Sequence, residues 1–147
     1  MLLLDIDMYT LFLHLHSVIR WIVLILALVL IVKSIMKGNY GKLDNILSAS
    51  YVGMMDLMFL LGLVLYFFLS PITKSAFSDF GGAMSNSAIR FWAVEHIFIM
   101  IVAIAVAHIG RSKSKKATDD NKKFKLQLIF YGISLVAMLA GIPWDRL

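Results

Sequence analysis

Apolar residues run almost without interruption through four stretches of the chain, near 8–36, 46–69, 87–110 and 123–142. Each is long enough to cross a bilayer core, which takes about 20 helical residues. The pattern predicts an all-α, integral membrane four-helix bundle running up-down-up-down. The connections differ in character. Lys37-Gly38-Asn39-Tyr40-Gly41-Lys42, within the basic connection 37–45, reads as a short turn with glycines as helix stops. The polar, basic run from Ser112 to Lys125 predicts a solvated hairpin loop over 111–122. The connection 70–86 opens with Ser70-Pro71 and contains Gly81-Gly82; between them Ile72, Ala76, Phe77 and Phe80 predict one face of a short interfacial helix. Trp92, Trp144, Tyr9 and Tyr66 fall near the same boundary, where belt aromatics belong. Little sequence remains for a soluble domain, so residues 1–147 read as a single transmembrane domain.

Composition agrees with that pattern. The chain is 61% hydrophobic with a mean hydropathy of +0.86, above the apolar fraction of soluble domains. The absence of cysteine removes disulfides, thiolate metal sites, haem thioether attachment and redox-thiol chemistry together. The start, Met-Leu-Leu-Leu-Asp5-Ile-Asp7, lacks the basic n-region of a signal peptide, and the first segment reads as a mature helix.

Charge sets the expected orientation. The connection after the first helix holds Lys33, Lys37 and Lys42. The one after the third holds Arg111, Lys113, Lys115, Lys116, Lys122, Lys123 and Lys125, which makes ten of the fourteen basic residues on one side. The other side has Lys74, Arg90 and Arg146 against Asp5, Asp7, Asp79 and Asp145. The positive-inside rule then puts both basic loops in the cytoplasm and both termini on the outer, periplasmic side. Topology and contact with the lipid bilayer account for the net charge of +5, leaving no reason to read nucleic-acid binding.

Candidate chemistry lies in the ionisable residues within the apolar segments: His14, His16 and Arg20, then Asp56, then Glu95 and His96. Groups at that depth are costly and mark a site or a structural pair. With a rise of about 1.5 Å per residue, His16 lies about 12 Å in from Met8, and Glu95 and His96 about 12–14 Å in from Ser87. Arg20, about 18 Å in, and Asp56, about 20 Å below Leu69, share a deeper level. His16 and Arg20 are four residues apart and point one way, whereas His14 is turned about 200° from His16. His96 heads the line Met100, Ala103, Ala107, Gly110, and Asp56 continues a line with Ala49 and Gly53. Small residues at that spacing predict packing faces. The last helix has no ionisable residue from Leu126 to Ile142; its Ser134, Ala137 and Gly141 predict close packing, which leaves the site to the first three helices.

Two histidines at one depth on diagonal helices suit a b-type haem, which takes two axial nitrogens in a bundle core. His16 and His96 are the preferred ligands, His14 the substitute for His16, and Arg90 or Arg20 the partners for propionates. The plainer alternative is two polar core histidines bonded to Glu95 or to backbone. A single divalent non-haem metal held by His16, His96, Glu95 and Asp56 is a further alternative. Arg20 and Asp56 are expected to form an intramembrane ion pair between the first two helices. His108, beside Arg111, reads as interfacial, with a quinone headgroup as an alternative contact.

The segments His14-Leu-His16-Ser17-Val-Ile-Arg20-Trp21 and Arg90-Phe-Trp-Ala-Val-Glu95-His96 resemble small bacterial four-helix membrane proteins described as cytochrome b-like. The resemblance covers most of the chain and implies haem b and electron transfer in the bacterial inner membrane, with His16 and His96 in the ligand role. It departs from diheme four-helix cytochromes in lacking a second matched histidine pair toward the cytoplasm, which points to one outer-leaflet haem and a quinol or periplasmic redox partner. The rival readings are a cofactor-free accessory or structural subunit of a larger membrane complex, and an ion- or proton-coupled component. No nucleophile–base pair, phosphate loop or paired-carboxylate site is visible, so an electron-transfer or accessory subunit is expected rather than an enzyme in its own right.

Overall fold

A computed structural model describes residues 2–146, and no strand occurs among them. Helix α1 spans Leu2–Met36, and α2 spans Lys42–Val64 and runs on through a π-helical turn at Leu65–Leu69. Two short helices follow, α3 at Pro71–Ser78 and α4 at Phe80–Ser85. Helix α5, Ser87–Arg90, passes through a second π-helical turn at Phe91–Glu95 into α6, His96–Lys116; α7 is Asp120–Gly141, and a 3₁₀ turn covers Trp144–Arg146. Four stretches are long and apolar enough to cross a membrane: Asp7–Met36, Lys42–Leu69, Ser87–Lys116 and Asp120–Gly141.

The helices outrun several of their expected bounds. Helix α6 continues to Lys116, so the basic run expected as a loop over 111–122 is largely helical and the connection is only 117–119. Lysine and arginine are good helix formers, and Lys113, Lys115 and Lys116 in the last turn complement the carbonyl end of the helix. The Asp119 carboxylate accepts from Lys122 N at 2.9 Å and restarts the chain as α7. After α1 the chain turns with Lys37 at φ 59° and Gly38 at φ 121°, where glycine carries no steric penalty. Residues 70–86 form two helices rather than one. Ser70 caps α3 ahead of Pro71, and the Asp79 carboxylate accepts from Gly82 N at 3.0 Å to start α4. Their buried residues are Thr73, Ala76 and Ala83, while Phe77 and Phe80 are exposed.

Helix α1 packs on α2 and α7, α2 on α6, and α6 on α7, so the ring closes with α1 and α6 across its middle. Between apolar helices in lipid, association rests on close packing and hydrogen bonds rather than on hydrophobic burial. The half of the core nearer the short connections shows both. Val23, Ala27, Leu30, Met55, Ala103 and Ala107 are buried around an edge-on Tyr51–Tyr131 pair with ring centroids 4.9 Å apart. Ser134 Oγ donates to Ala103 O at 2.8 Å, so the Tyr51 hydroxyl donates to Ser134 Oγ at 3.0 Å. Tyr131 bonds Ser48. A Cβ at Gly110 would collide with Phe130, and one at Gly141 with Met100, so these glycines set how closely α6 and α7 approach. At the same end Lys33 and Asp44 pair at 3.1 Å, and Gln127 Nε2 donates to the Tyr40 hydroxyl at 2.7 Å.

Candidate functional site

The other half of the core is open. A cavity of about 700 Å³ lies among α1, α2 with its π turn, the start of α3, α6 and Pro143. His16 and His96 both line it, one from each of the two helices that face each other across the ring.

Each imidazole is fixed the same way. His16 Nδ1 lies 3.1 Å from Met58 O on α2, and His96 Nδ1 lies 2.8 Å from Gly141 O at the end of α7. A carbonyl accepts, so Nδ1 carries the hydrogen on both rings, and Nε2 is left as the lone-pair nitrogen. The sequence makes both carbonyls reachable. Gly62 stands one turn beyond Met58, and a Cβ there would come within 3.3 Å of His16 Cε1. The Gly141 carbonyl is free because α7 stops there, with Ile142 extended and Pro143 unable to donate. Trp92 and Phe91 flank the His96 ring, with centroids 5.3 and 5.9 Å away.

Two π turns shape the wall. In such a turn residues five apart stack, which brings Arg90 and Glu95 together: Arg90 Nε donates to Glu95 Oε1 at 2.8 Å, and Nη1 to Met84 O at 3.1 Å. The turns are tied to each other and to α3. The Tyr66 hydroxyl donates to Ala93 O at 2.6 Å, and Thr73 Oγ1 donates to Tyr66 O at 2.6 Å. Tyr9, Tyr66 and Trp92, expected as belt aromatics, line the cavity.

Arg20 lines the cavity one turn beyond His16, with its guanidinium carbon 5.4 Å from the Trp21 ring centroid. Its Nε is buried and has no hydrogen-bond partner among the described residues. His16, His96 and Arg20 lie within electrostatic reach of one another.

Several expectations need correction. The Arg20–Asp56 ion pair does not form: Asp56 Oδ1 is 2.7 Å from His108 Nε2, and Arg20 has no carboxylate partner among the described residues. The two side chains lie on different faces of the bundle. The buried face of α2 is Ser48, Tyr51, Val52, Met55 and Met58, so the line Ala49, Gly53, Asp56 faces outward. His14 is exposed and outside the cavity lining, so it is no substitute for His16. Arg90 is held by Glu95 and Met84 away from the cavity and is not placed for propionates. The mixed metal set does not converge: Glu95 is engaged by Arg90, Asp56 by His108, and among the described residues no three His, Cys, Asp or Glu side chains come together. Nor is the site confined to three helices, since α7 supplies the carbonyl that holds His96. Gly62 and the Gly141-Ile142-Pro143 stop were the signals for these supports, and only partner geometry shows what they support. Compared with known proteins, the chain matches no family model, no curated protein and no solved structure.

Proposed function

We propose that the chain is a membrane-embedded b-type haem protein serving electron transfer, with His16 and His96 as the two axial ligands. The observation that carries this is the pair of imidazoles on one cavity, each with Nδ1 on a backbone carbonyl and Nε2 unbonded. Metal-ligating histidines characteristically give their other ring nitrogen to such an acceptor, which sets tautomer and orientation. The cavity's 700 Å³ falls within the range of about 300–1,000 Å³ for small-molecule and cofactor sites. Its walls fit the group: Leu13, Met58, Leu63 and Met100 offer apolar contact, Tyr66 and Thr73 hydroxyls, and Arg20 an unpaired buried donor for an anionic substituent. Bound there, haem b supplies reversible one-electron transfer. The protein's own part is to hold two nitrogens in place, exclude water and set the local charge. The densely packed other half of the core favours a single haem.

We further propose an up-down-up-down bundle in the bacterial inner membrane with both termini periplasmic. Support comes from end-to-start pairings between successive helices, His16 with Met58, Asn45 with Arg111 and Ser114 with Lys123, and from the basic residues gathered at one end.

The test is an optical spectrum of purified protein, oxidised and dithionite-reduced. Sharp reduced b-type bands are expected, and they are expected to disappear in His16→Ala and in His96→Ala. A colourless, folded preparation that takes up no added haem would overturn the proposal and leave a cofactor-free subunit of a larger complex.

A further inference from the structure

The Asp56–His108 pair lies apart from the cavity, on the outer seam between α2 and α6. Asp56 falls at the middle of Lys42–Leu69 and His108 inside Ser87–Lys116, two of the segments long and apolar enough to cross a membrane. Their side chains are nonetheless 46% and 51% exposed. In a bilayer that exposure is to hydrocarbon, which offers neither donor nor acceptor. The start of α2 at Lys42 is about 20 Å along the axis from Asp56, so lipid headgroups are out of reach. His108 Nε2 donates to Asp56 Oδ1 at 2.7 Å, the length of a charge-assisted bond. Asp56 Oδ2 and His108 Nδ1 have no partner among the described residues. Arg111, the nearest basic side chain along α6, is bonded to Asn45 instead.

We infer that this seam is the contact face of a two-fold dimer, in which the Asp56–His108 pairs of two copies join in a closed ring. Copies in one bilayer share an orientation, so the two-fold axis runs along the membrane normal and sets equal depths against each other. With the axis on the seam, each α2 stands between its own α6 and that of the second copy. Asp56 Oδ2 then accepts from Nδ1 of the partner's His108, and His108 Nδ1 donates to the partner's Asp56. An imidazolium donates from both ring nitrogens, and a carboxylate accepts at both oxygens. The four groups therefore close a ring of four charge-assisted bonds with no net charge and no donor left unpaired. An unlike helix with one donor or one acceptor would satisfy half of this; a second copy carries both at the same depth. The backbones can also come close. A Cβ at Gly53, one turn before Asp56, would have no atom within 4 Å, and Ala49 and Ala105 are exposed. Small residues at a contact let helices approach in lipid. Met55 and Ile104 line the cavity behind the seam, so the dimer would place the two cavities on either side of one interface. The inference rests on the membrane reading and is independent of haem.

The test is sedimentation equilibrium in density-matched detergent over a range of protein-to-detergent ratios. A reversible mass of two chains is expected. Its dissociation constant is expected to rise roughly tenfold or more in Asp56→Leu and in His108→Phe, as for loss of one hydrogen bond at about 1.4 kcal/mol per decade. Gly53→Leu, which fills the approach and leaves the dyad in place, is expected to weaken the dimer as much, with helix content by circular dichroism kept. The contact itself is read by oxidative crosslinking in membranes, since the chain has no cysteine. Leu60 and Ala105 are exposed one turn from Asp56 and His108, both toward the cavity end of their helices. A mixture of Leu60→Cys and Ala105→Cys copies is expected to crosslink better than either alone. A single-chain mass at every ratio, with no crosslinking of the mixture, overturns the inference and leaves lipid or an unlike helix as the cover of the dyad. A dimer unaltered in both His108→Phe and Gly53→Leu overturns it too, since the copies then meet elsewhere. Haem bands from a single-chain species refute the dimer alone; a dimer without haem bands refutes the haem alone.

Discussion

Gly62 and Gly141 serve the two histidines by different means. The first removes a side chain from the path of an imidazole, and the second presents a carbonyl that the end of its helix has left without a donor. A Gly62→Leu chain is predicted to displace the His16 ring from Met58 O. Cofactor retention is expected to fall by roughly tenfold or more, while helix content by circular dichroism is kept, since leucine is the better helix former. Arg20 makes the opposite kind of prediction. Its buried Nε has no partner, which costs about 1–3 kcal/mol, and the stacking on Trp21 returns only about 0.5–1 kcal/mol. Arg20→Leu is therefore expected to raise the melting temperature of the haem-free protein. A lower melting temperature would show that the guanidinium is already satisfied.

Among the elements, the two π turns do what regular helix could not. Each frees a carbonyl near the cavity, and one tyrosine serves both turns: Tyr66 donates to Ala93 O and offers its own carbonyl to Thr73. The apolar pattern located the helices but could not reveal these turns, because inserting a residue changes which face a side chain occupies without changing its hydropathy. Tyr66→Phe leaves Ala93 O unpaired, at a predicted cost of about 1–3 kcal/mol. Thr73→Val is predicted to cost a similar amount, and the double variant less than the sum, because both bonds pass through one residue. Thermal denaturation in detergent checks this, with exposed Phe98→Leu as the control. Strict additivity would mean that the two turns are independently held.

For the whole molecule, the core divides into a packed half and an open half, and the candidate cofactor site lies in the open half. Topology can be tested cleanly, since the chain has no cysteine. Single cysteines at Lys37 and Thr118 are predicted to be shielded from an impermeant maleimide in intact cells, and one at Ser78 to be labelled; the reverse pattern would invert the proposed orientation. Much of this plan was legible beforehand. Lengths of apolar sequence marked the four helices long enough to cross a membrane, helical spacing put Ala103, Ala107 and Gly110 on the buried face of α6, and depth arithmetic paired His16 with His96, which line one cavity. These properties depend on rise per residue and on hydrophobicity, which a single chain carries in itself. Partnership does not. Whether Asp56 met Arg20 or His108, whether Glu95 faced His96 or Arg90, and which carbonyls would fix the imidazoles depended on how each helix was rotated against its neighbours. That rotation is set by packing at Gly62, Gly110 and Gly141 and by the π turns, terms that arise only between helices. The sequence by itself determined four helices long and apolar enough to cross a membrane, with ionisable groups inside them. The tertiary structure decided which of those groups line one cavity and which lie on the outside of the bundle, because that depends on how each helix is rotated against its neighbours.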